Sequence, residues 1–540
     1  MKQELLARLS ALGILPEKEA IDLMLSAESP SYLCDLLEER AKSGDLLLLT
    51  KQMVQGLVIQ TQEKEPAALA EPALIQVSKD QTAAQPSQVQ EPTQPQEAQN
   101  QNTIQEEPAQ SLAAHKAIPL SSANQTLEVT ILRNHTQTNA KAVMENFVFY
   151  FNSRYEKLRN LLSKRQLQNT TSIMHLKPGA KATVIGMVKD KRTSKNGHIM
   201  LELEDQTGTT TALIMKSKEE LMKKMSEIVF DEVVAVTGAV SDRIMFADEI
   251  TLPEIPINNT PKQFNAKAAV AFLSDIHVGS EKFLEHDFER FLAWTNGRLG
   301  SKEQKELAAK LSCIVIAGDV VDGIGVYPGQ ERELSILNLE AQFEKLAELL
   351  SQIPEHITIV LSPGNHDAVR LAQPQPPLDN QFTKSLDRMK NLIRVSNPAQ
   401  ISIHPKGEHP DSGLNVLIYH GTGFDGLIEQ IPALKEGYSK PDLVARVMLQ
   451  KRHLSPIYGM DVAAELNDNM TIDQVPDIFH SGHVHVNAYT TYRGVKIINS
   501  GCWQSQTDFQ KMHEHMPTPA RVPIFDFETS QVKQVNFSAK

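Results

Sequence analysis

The strongest constraint on this chain is a pattern that its second half repeats six times: a short apolar run followed at once by polar residues. The leading polar residues of the first four clusters lie 44, 46 and 55 residues apart, which is room for one strand and one helix each. Strand ends meet at one edge of an α/β sandwich, so we expect the clusters to form one site. The pattern predicts such a sandwich over residues 265–540. The apolar runs are residues 268–274, 311–317, 357–362, 414–419, 476–479 and 495–499.

The polar clusters supply carboxylate, amide and imidazole groups in larger number than one metal ion requires, which favours two ions. A set of nitrogen and oxygen donors without thiolate favours Mn²⁺, Fe²⁺ or Zn²⁺ over Mg²⁺ or Ca²⁺. In chain order the clusters are Asp275-x-His277, Gly318-Asp319-x-x-Asp322, Gly364-Asn365-His366-Asp367, His420 and Gly482-His483-x-His485, with Asn499-Ser500-Gly501 after the last run.

Two metal ions that share a carboxylate lie about 3.5–4 Å apart, and a water between them loses its proton near neutral pH. That water would attack a phosphodiester while the ions neutralise charge on the phosphoryl oxygens. Each cluster alone is common in proteins, but chance does not place this ordered set after six apolar runs. The set predicts a metallophosphoesterase.

The ordered set resembles the calcineurin-like metallophosphoesterases, which include the nuclease of double-strand-break repair. Three loops make a closer likeness: VYPGQERELSI (326–336), PGNHDAVRLAQPQP (363–376) and QKRHLSPIYG (450–459). Together with a domain like the oligonucleotide/oligosaccharide-binding (OB) fold ahead of them, they are similar to the small subunits of archaeal family D DNA polymerases. The resemblance covers about residues 127–540.

This resemblance implies two neighbouring divalent ions with one carboxylate between them, Mn²⁺ first and Fe²⁺ or Zn²⁺ as alternatives. It assigns Asp275, His277 and His485 to the first ion, Asn365, His420 and His483 to the second, and Asp319 to both.

The resemblance also assigns two residues to the chemistry. His366 would face the scissile phosphate and stabilise or protonate the leaving oxygen. Asp367 would orient the His366 imidazole. One position departs from the repair nuclease, which has a histidine where this chain has Asp322. Many phosphatases of the superfamily carry aspartate there, so the departure affects leaving-group handling and not the predicted fold.

The function implied is a 3′–5′ exonuclease that proofreads DNA primer ends for a replicative polymerase. No polymerase motif stands in this chain, so the large catalytic subunit is the implied partner, in a heterodimer or a larger assembly. Eukaryotic relatives have lost the ligands that this chain retains, which favours an active nuclease. The alternatives are a mainly structural subunit and a stand-alone metallophosphodiesterase or phosphatase, and the OB-like domain speaks against the stand-alone enzyme.

The first half of the chain divides into three parts. Leucines at helical spacing predict a helical N-terminal domain over residues 1–60. Residues 61–120 are rich in Gln, Pro, Ala and Glu and predict a disordered linker. Residues 121–256 predict a helix followed by an OB-fold domain of about five short strands. The helix carries a line of aromatic side chains, Phe147, Tyr150, Phe151 and Tyr155, which are typical of a core and less so of a base-stacking platform.

Six basic residues are candidates for nucleic-acid contact, each with a plain alternative. The first hairpin of the predicted barrel is locally basic, which suits single strands or a solvated loop equally. Arg370 could hold a phosphate or form a surface salt bridge, and Arg452 lies in a helical insertion that could line a nucleic-acid channel or contact the large subunit. The hairpin candidates are Lys189, Lys191, Arg192 and Lys195.

Charge and cysteine content exclude several classes of protein. The net charge of −12, from 66 acidic and 54 basic residues, excludes a chain that coats nucleic acid over its whole surface. Three well-separated cysteines, Cys34, Cys313 and Cys502, exclude a disulfide framework and a Cys-x-x-Cys zinc site, and indicate the reducing cytoplasm. No apolar run reaches about 18 residues, so we expect no membrane span.

Overall fold

The computed structural model describes residues 127–136, 144–242, 244–264, 266–379, 381–459, 462–463 and 465–539, together with two short N-terminal strands. These strands, β1 (Leu15–Pro16) and β2 (Leu48–Leu49), pair in parallel within a first unit, Met1–Ala98. Apart from them, the predicted helical domain over 1–60 and the predicted linker over 61–120 lie outside the described residues. Everything below concerns the second unit, Gln99–Lys540.

The helices and strands of this second unit alternate along the chain. The strands are β3 (Leu127–Arg133), β4 (Lys181–Thr193), β5 (Ile199–Asp205), β6 (Gly208–Ile214), β7 (Val233–Val240), β8 (Met245–Thr251), β9 (Ala269–Leu273), β10 (Leu311–Ala317), β11 (Thr358–Ser362), β12 (Leu392–Arg394), β13 (Ala399–Pro405), β14 (Leu414–Ile418), β15 (Ile478–Ser481), β16 (Asn487–Tyr492), β17 (Val495–Ser500), β18 (Arg521–Asp526) and β19 (Gln531–Asn536). The α-helices are α1 (Met144–Ser163), α2 (Glu219–Met225), α3 (Glu285–Thr295), α4 (Lys302–Ala309), α5 (Leu339–Leu350), α6 (Gly423–Gln430), α7 (Pro441–Lys451) and α8 (Asp508–Met512).

Strands β4 to β8 close into a five-stranded barrel in the order β4-β5-β6-β8-β7. Alternation of side chains fills its interior: Leu201 and Leu203 of β5 are fully buried, whereas Glu202 between them is partly exposed. Strand β4 is long enough to pair with both β5 and β7, and its register shifts between Val188 and Asp190. The predicted OB-type barrel is confirmed.

Two six-stranded sheets form the rest of the unit. One has the order β12-β11-β10-β9-β18-β19 and the other β16-β17-β15-β14-β13-β3. Phe272 and Val315 of the first sheet pack against Ile401 and Ile498 of the second, and all four are fully buried. Helices α3 and α5 cover the outer face of the first sheet, and α6 and α7 cover that of the second. The structure therefore has the α/β sandwich layers that the strand–helix alternation predicts.

The boundary between the two domains differs from the predicted one. Strand β3 does not belong to the barrel domain that we predicted over residues 121–256. It pairs antiparallel with β13 of the sandwich, with Ile131 opposite Ile401. The local alternation of β3 identifies it as a strand but carries no information on a partner about 270 residues later in the chain.

Helix α1 joins the barrel to the sandwich through its aromatic side. Tyr155 packs with Ile185 of the barrel, while Tyr150 and Phe151 contact Tyr458 of the sandwich domain through edge-to-face rings. Tyr150 and Tyr155 are buried. The prediction that these aromatics form core, and not a base-stacking platform, is confirmed for Tyr150, Phe151 and Tyr155.

A buried ion pair fixes this joint. The Arg154 guanidinium on α1 donates to Oδ2 of Asp468 at 2.6 Å, to the carbonyl of Asp231 at 3.1 Å and to the Tyr150 hydroxyl at 2.7 Å. Asp468 also accepts from Nε2 of His453 at 2.8 Å. Because burial of unpaired charge is costly, the barrel and the sandwich are held in one arrangement in which every charge has a partner.

No helix among the described residues is long and apolar enough to cross a membrane.

Replacing Arg154 with leucine should destabilise the protein by about 3–5 kcal/mol, because it leaves the buried Asp468 carboxylate without its guanidinium. The matched control is Arg159→Leu on the same helix, where the arginine is exposed and pairs with Glu156; such a surface pair contributes at most about 1 kcal/mol. Denaturant unfolding of both variants measures the difference. Equal unfolding midpoints would contradict a supporting role for Arg154.

Two neutral buried histidines should make the protein sensitive to acid. Burial lowers the pKa of His453 to about 4, against the opposing charge of Asp468, and lowers that of His480 to about 3. Unfolded histidine titrates near 6.5, so the stability that each contributes is complete above about pH 6.5 and is lost as the pH falls through 4 and 3. At pH 5, each histidine should lower the free energy of unfolding by about 2 kcal/mol relative to pH 7.

Melting temperatures between pH 7 and pH 5 check this. His453→Gln keeps a hydrogen-bonding side chain that does not titrate, so its melting temperature should fall less steeply with pH than that of the wild type. Parallel profiles would contradict a neutral His453.

Candidate metal centre

All seven predicted metal ligands lie in loops that directly follow strands, at the carboxyl ends of the strands of the two sheets. Strands β9, β10 and β11 run parallel, as do β14 and β15, so their carboxyl ends lie side by side. Asp275 and His277 follow β9, Asp319 follows β10, Asn365 follows β11, His420 follows β14, and His483 and His485 follow β15.

The first cluster consists of Asp275, His277 and His485. Nε2 of His277 lies 3.1 Å from Nε2 of His485, which lies 3.5 Å from Oδ1 of Asp275. The other ring nitrogen of each histidine is already engaged: Nδ1 of His277 lies 3.0 Å from Oδ1 of Asp322, and Nδ1 of His485 lies 2.8 Å from Nε2 of Gln510. These partners fix both rings with their Nε2 atoms facing one point.

The second cluster is built around His420. Its Nε2 lies 3.2 Å from Oδ2 of Asp319 and 2.9 Å from Oδ1 of Asn365, and its Nδ1 lies 2.7 Å from the carbonyl of Ala317. The same Oδ2 of Asp319 is 3.9 Å from Nε2 of His277 in the first cluster. Asp319 therefore stands between the two clusters.

The donor separations fit divalent ions. Two ligands bonded at about 2.1 Å to one ion, at angles between 90° and 109°, lie about 3.0–3.4 Å apart. The four separations between donor atoms within the two clusters, 3.1, 3.5, 3.2 and 2.9 Å, lie within or close to this range. The donors are imidazole, carboxylate and amide groups with no thiolate, as the sequence predicts.

The two central carboxylates respond in opposite ways to their surroundings. Burial raises the pKa of Asp275. Burial also acts on Asp319, but His420 and His366 outweigh it and hold the pKa of that carboxyl well below its ordinary value. The charge of Asp319, against burial, raises the pKa of His420 to about 10. A positive charge beside the Asp319 carboxylate is therefore strongly favoured.

His483 occupies a different position from the other six predicted ligands. Its ring lies 5.2 Å from that of His420, centroid to centroid, and its backbone N–H donates to the Asp275 carboxylate at 3.0 Å. Nε2 of His483 is 3.0 Å from Oδ2 of Asp425, which leaves Nδ1 as its remaining donor atom.

The backbone at the centre is held in an uncommon conformation. Five predicted ligands have positive φ, a region that residues other than glycine adopt rarely. Such conformations persist only where surrounding contacts enforce them and concentrate at functional sites. The five angles are +52° at Asp275, +55° at His277, +50° at Asp319, +72° at His483 and +60° at His485.

His366 lies beside His277 of the first cluster and is partly exposed. Its Nδ1 is 2.7 Å from the carbonyl of Asp322, and its ring meets that of His277 edge to face at 4.8 Å. Burial lowers its pKa. The hydrogen bond engages Nδ1, so Nε2 is the ring nitrogen with which His366 could contact a substrate.

The predicted role of Asp367 is wrong. Its carboxylate does not contact the His366 ring but accepts hydrogen bonds from the backbone N–H groups of Gly364, Val320 and Val321, at 2.8 to 3.1 Å. Burial raises its pKa to about 7. Asp367 thus ties the loop after β11 to the loop after β10, and the Asp322 carbonyl orients His366.

Four of the six basic candidates for nucleic-acid contact have intramolecular partners. Arg452 is buried and donates to the carbonyls of Ile472 and Asp473, so its proposed contact with DNA is wrong. Arg370 has the plainer of its two predicted roles, a salt bridge at 2.6 Å to Glu465.

Within the basic hairpin, Lys191 donates to the carbonyl of Ile228 at 2.6 Å, and Lys189 pairs with Glu202 at 3.3 Å. Arg192 and Lys195 are exposed and remain candidates for nucleic-acid contact.

Sequence reasoning missed three residues that support the centre. Asp322 was noted only as a departure from a relative, but its carboxylate holds His277 and its carbonyl holds His366. Asp425 and Gln510 hold the two histidines of the last motif, and neither stands in a motif. The Gly-Asp-x-x-Asp spacing could have pointed to Asp322, whereas nothing local marks the other two.

Comparison with known proteins agrees with these domains. Residues 182–256 match the family model described as an OB-fold nucleic acid binding domain, and residues 270–490 match the model for the B subunits of DNA polymerases alpha and epsilon. The DNA polymerase II small subunit of Methanothermobacter thermautotrophicus is 44% identical over 386 residues, which is 71% of this chain and 77% of that protein. The chain belongs to the small-subunit family of archaeal family D DNA polymerases.

Other members of this small-subunit family show similar agreement. The DNA polymerase II small subunit of Archaeoglobus fulgidus is 41% identical over 72% of this chain and 76% of that protein. That of Pyrococcus furiosus is 38% identical over 76% of this chain and 67% of that protein.

Adding one methyl group at Gly482 should weaken metal binding by this small subunit. A Cβ there would lie 2.3 Å from Oδ2 of Asp275 and 2.4 Å from Oγ of Ser274, so Gly482→Ala should displace the carboxylate and weaken Mn²⁺ binding at least about tenfold. Calorimetric titration with Mn²⁺ measures this.

The matched control is Gly413→Ala. Gly413 directly precedes β14, whereas the predicted metal ligands follow the carboxyl ends of the strands. A Cβ at Gly413 would be as crowded, 2.4 Å from Oγ of Ser402, so this substitution should lower the melting temperature but preserve Mn²⁺ binding. Equal Mn²⁺ affinity in the two variants would remove Asp275 from the metal centre.

Proposed function

We propose that this subunit is a metallophosphoesterase that removes nucleotides from the 3′ ends of DNA primers and so proofreads for a replicative polymerase. The observation that carries the proposal is the position of Asp319, whose single Oδ2 atom faces His420 in one cluster and His277 in the other. A carboxylate shared in this way is typical of sites that hold two metal ions for phosphodiester hydrolysis.

The chain's own residues prepare the reacting groups. Divalent ions at these clusters would activate a water and neutralise charge on the phosphodiester. Asp275, Asp319 and Asn365 would contribute oxygen donors, and His277 and His485 would contribute ring nitrogens whose directions Asp322 and Gln510 fix. His366 is partly exposed, its Nδ1 is engaged by the Asp322 carbonyl, and its Nε2 would hydrogen-bond to the phosphate or the leaving oxygen.

The remaining domains support a DNA substrate and a protein partner. The barrel belongs to a fold that binds single-stranded nucleic acid, and Arg192 and Lys195 give it local positive charge. The relatives are named small subunits. We propose that the partner is the large catalytic subunit and that this subunit also stabilises it.

Digestion of a 3′-mismatched primer–template with Mn²⁺ tests the proposal, first with this subunit alone and then with the large subunit added. Asp319→Asn should remove excision, and His366→Ala should slow it by about 10²–10⁴-fold, the usual effect of losing a proton-transferring side chain. Asp411→Asn is the matched control, since Asp411 is an exposed carboxylate outside the two clusters.

The same complex separates nuclease from scaffold. If Asp319→Asn excises mismatches as fast as the wild type, the nuclease assignment is wrong and a structural role stands. If the wild type cleaves a chromogenic phosphodiester far better than oligonucleotides, a small-molecule phosphodiesterase is the better description.

A further inference from the structure

Beside the metal centre, four rings contact one another in sequence. Tyr438 stacks on His515 with centroids 4.4 Å apart, His515 lies 5.9 Å from His513, and His513 lies 4.3 Å from Phe509. We call these four residues the ring strip. Three of them come from α8 and the loop that follows it, and Tyr438 comes from the segment between α6 and α7.

The ring strip is connected to the metal centre at two points. The Tyr438 hydroxyl lies close to the Asp425 carboxylate, whose Oδ2 is 3.0 Å from Nε2 of His483. Gln510, which follows Phe509 directly, places its Nε2 2.8 Å from Nδ1 of His485. His483 is therefore in contact with Asp425, the neighbour of Tyr438. His485 is in contact with Gln510, which lies on the same helix as Phe509.

The far end of the ring strip faces solvent. Phe509 is 57% exposed, and the neighbouring Met512 and Met516 are 80% and 70% exposed. His513 is also exposed. Since burial of a phenylalanine ring contributes free energy to folding, this exposure is not explained by stability of the sandwich.

The segment is nevertheless held in place. Helix α8 begins with a capping box in which Thr507 and Gln510 hydrogen-bond to each other's backbone N–H. Nε2 of Gln506 donates to the carbonyl of His515 at 2.8 Å, which closes the loop back on itself. The rings are thus presented on an ordered support, as a binding surface requires.

We propose that the ring strip binds the unpaired bases at the 3′ end of a DNA strand by stacking, while the adjacent phosphodiester occupies the metal centre. This rests on the proposed function and adds a specificity site to it. Single-strand binding proteins use aromatic side chains in this way, because every base has a flat face whatever its sequence. One residue separates the rings from the metal-centre histidines: Asp425 lies between Tyr438 and His483, and Gln510, which follows Phe509, contacts His485. The bases of a bound strand end would lie at this distance.

The ring strip gives a physical basis for preferring mismatched ends. Bases in a paired primer end are already stacked and hydrogen-bonded within the duplex, so moving them onto the strip costs unpairing free energy. That cost is least for a mismatched base. The strip would therefore select frayed ends without recognising any particular base.

Binding measured in a chelator tests the strip without hydrolysis. The probes are a 5′-labelled oligodeoxythymidylate of about 12 nucleotides and the same oligomer without bases at its 3′ end. Phe509→Ala and His513→Ala should each weaken binding of the first probe about tenfold by fluorescence anisotropy, because loss of one stacked base costs about that much. The abasic probe should bind these variants as it binds the wild type.

The matched control is Phe149→Ala. Phe149 lies on α1 and is 55% exposed, close to the exposure of Phe509, so its removal takes away a similar ring from a different surface. It should change neither affinity. Phe509→Tyr should retain wild-type binding, since a stacking ring is kept.

Two results would overturn the proposal. In one, Phe509→Ala leaves the preference for the base-bearing probe intact. In the other, it releases the large subunit but keeps oligonucleotide binding, which would make the surface a protein interface. The binding assay measures no hydrolysis, so its result is independent of the excision assay. If the protein fails to excise mismatches but still prefers the base-bearing probe, the proposed function is wrong and the stacking site stands.

Discussion

The candidate metal centre depends on the close approach of two loops, the one after β10 and the one after β11. A Cβ at Gly364 would lie 2.2 Å from Oδ1 of Asp319, and a Cβ at Gly318 would lie 2.5 Å from the backbone nitrogen of Gly364. With only hydrogen at both positions, the His366 N–H donates to Asp319 at 2.8 Å, and Asp367 draws the two loops together through its carboxylate. The shared carboxylate is thus held by backbone contacts that larger residues would prevent.

A second constraint acts between the domains. Arg154 and Asp468, both without solvent contact, are accompanied by Lys451, which donates to Glu232 of the barrel at 2.7 Å. These contacts join α1, the barrel and the helical insertion of the sandwich. Charged pairs away from water tolerate little displacement, because any separation leaves charge without a partner. The barrel is therefore a fixed neighbour of the sandwich and not a loosely tethered module.

Much of this arrangement could be predicted from local sequence. Apolar runs that end in polar clusters identified the sandwich strands and gathered Asp275, Asp319 and His420, because parallel strands place their carboxyl ends at one edge. The pairing of β3 with β13 could not be predicted, since register between distant strands leaves no local signal. Arg452 was misjudged because a charged residue on a helical insertion suggests solvent, whereas its guanidinium is satisfied by backbone carbonyls inside the protein. Asp367 was misjudged because a neighbouring histidine suggested its partner, while nearby N–H groups are closer.

The position of β3 also determines which pieces of the chain can exist alone. It precedes the barrel in the chain yet forms the outermost strand beside β13, so the barrel is an insertion within the sandwich and not a domain placed before it. A fragment that begins after the barrel would lack this strand and would expose the backbone N–H and C=O groups of β13 along an open sheet edge. Open edges of this kind pair with other chains. Truncation between the two domains would therefore yield a self-associating protein, although the sequence marks that point as the natural place to divide the chain.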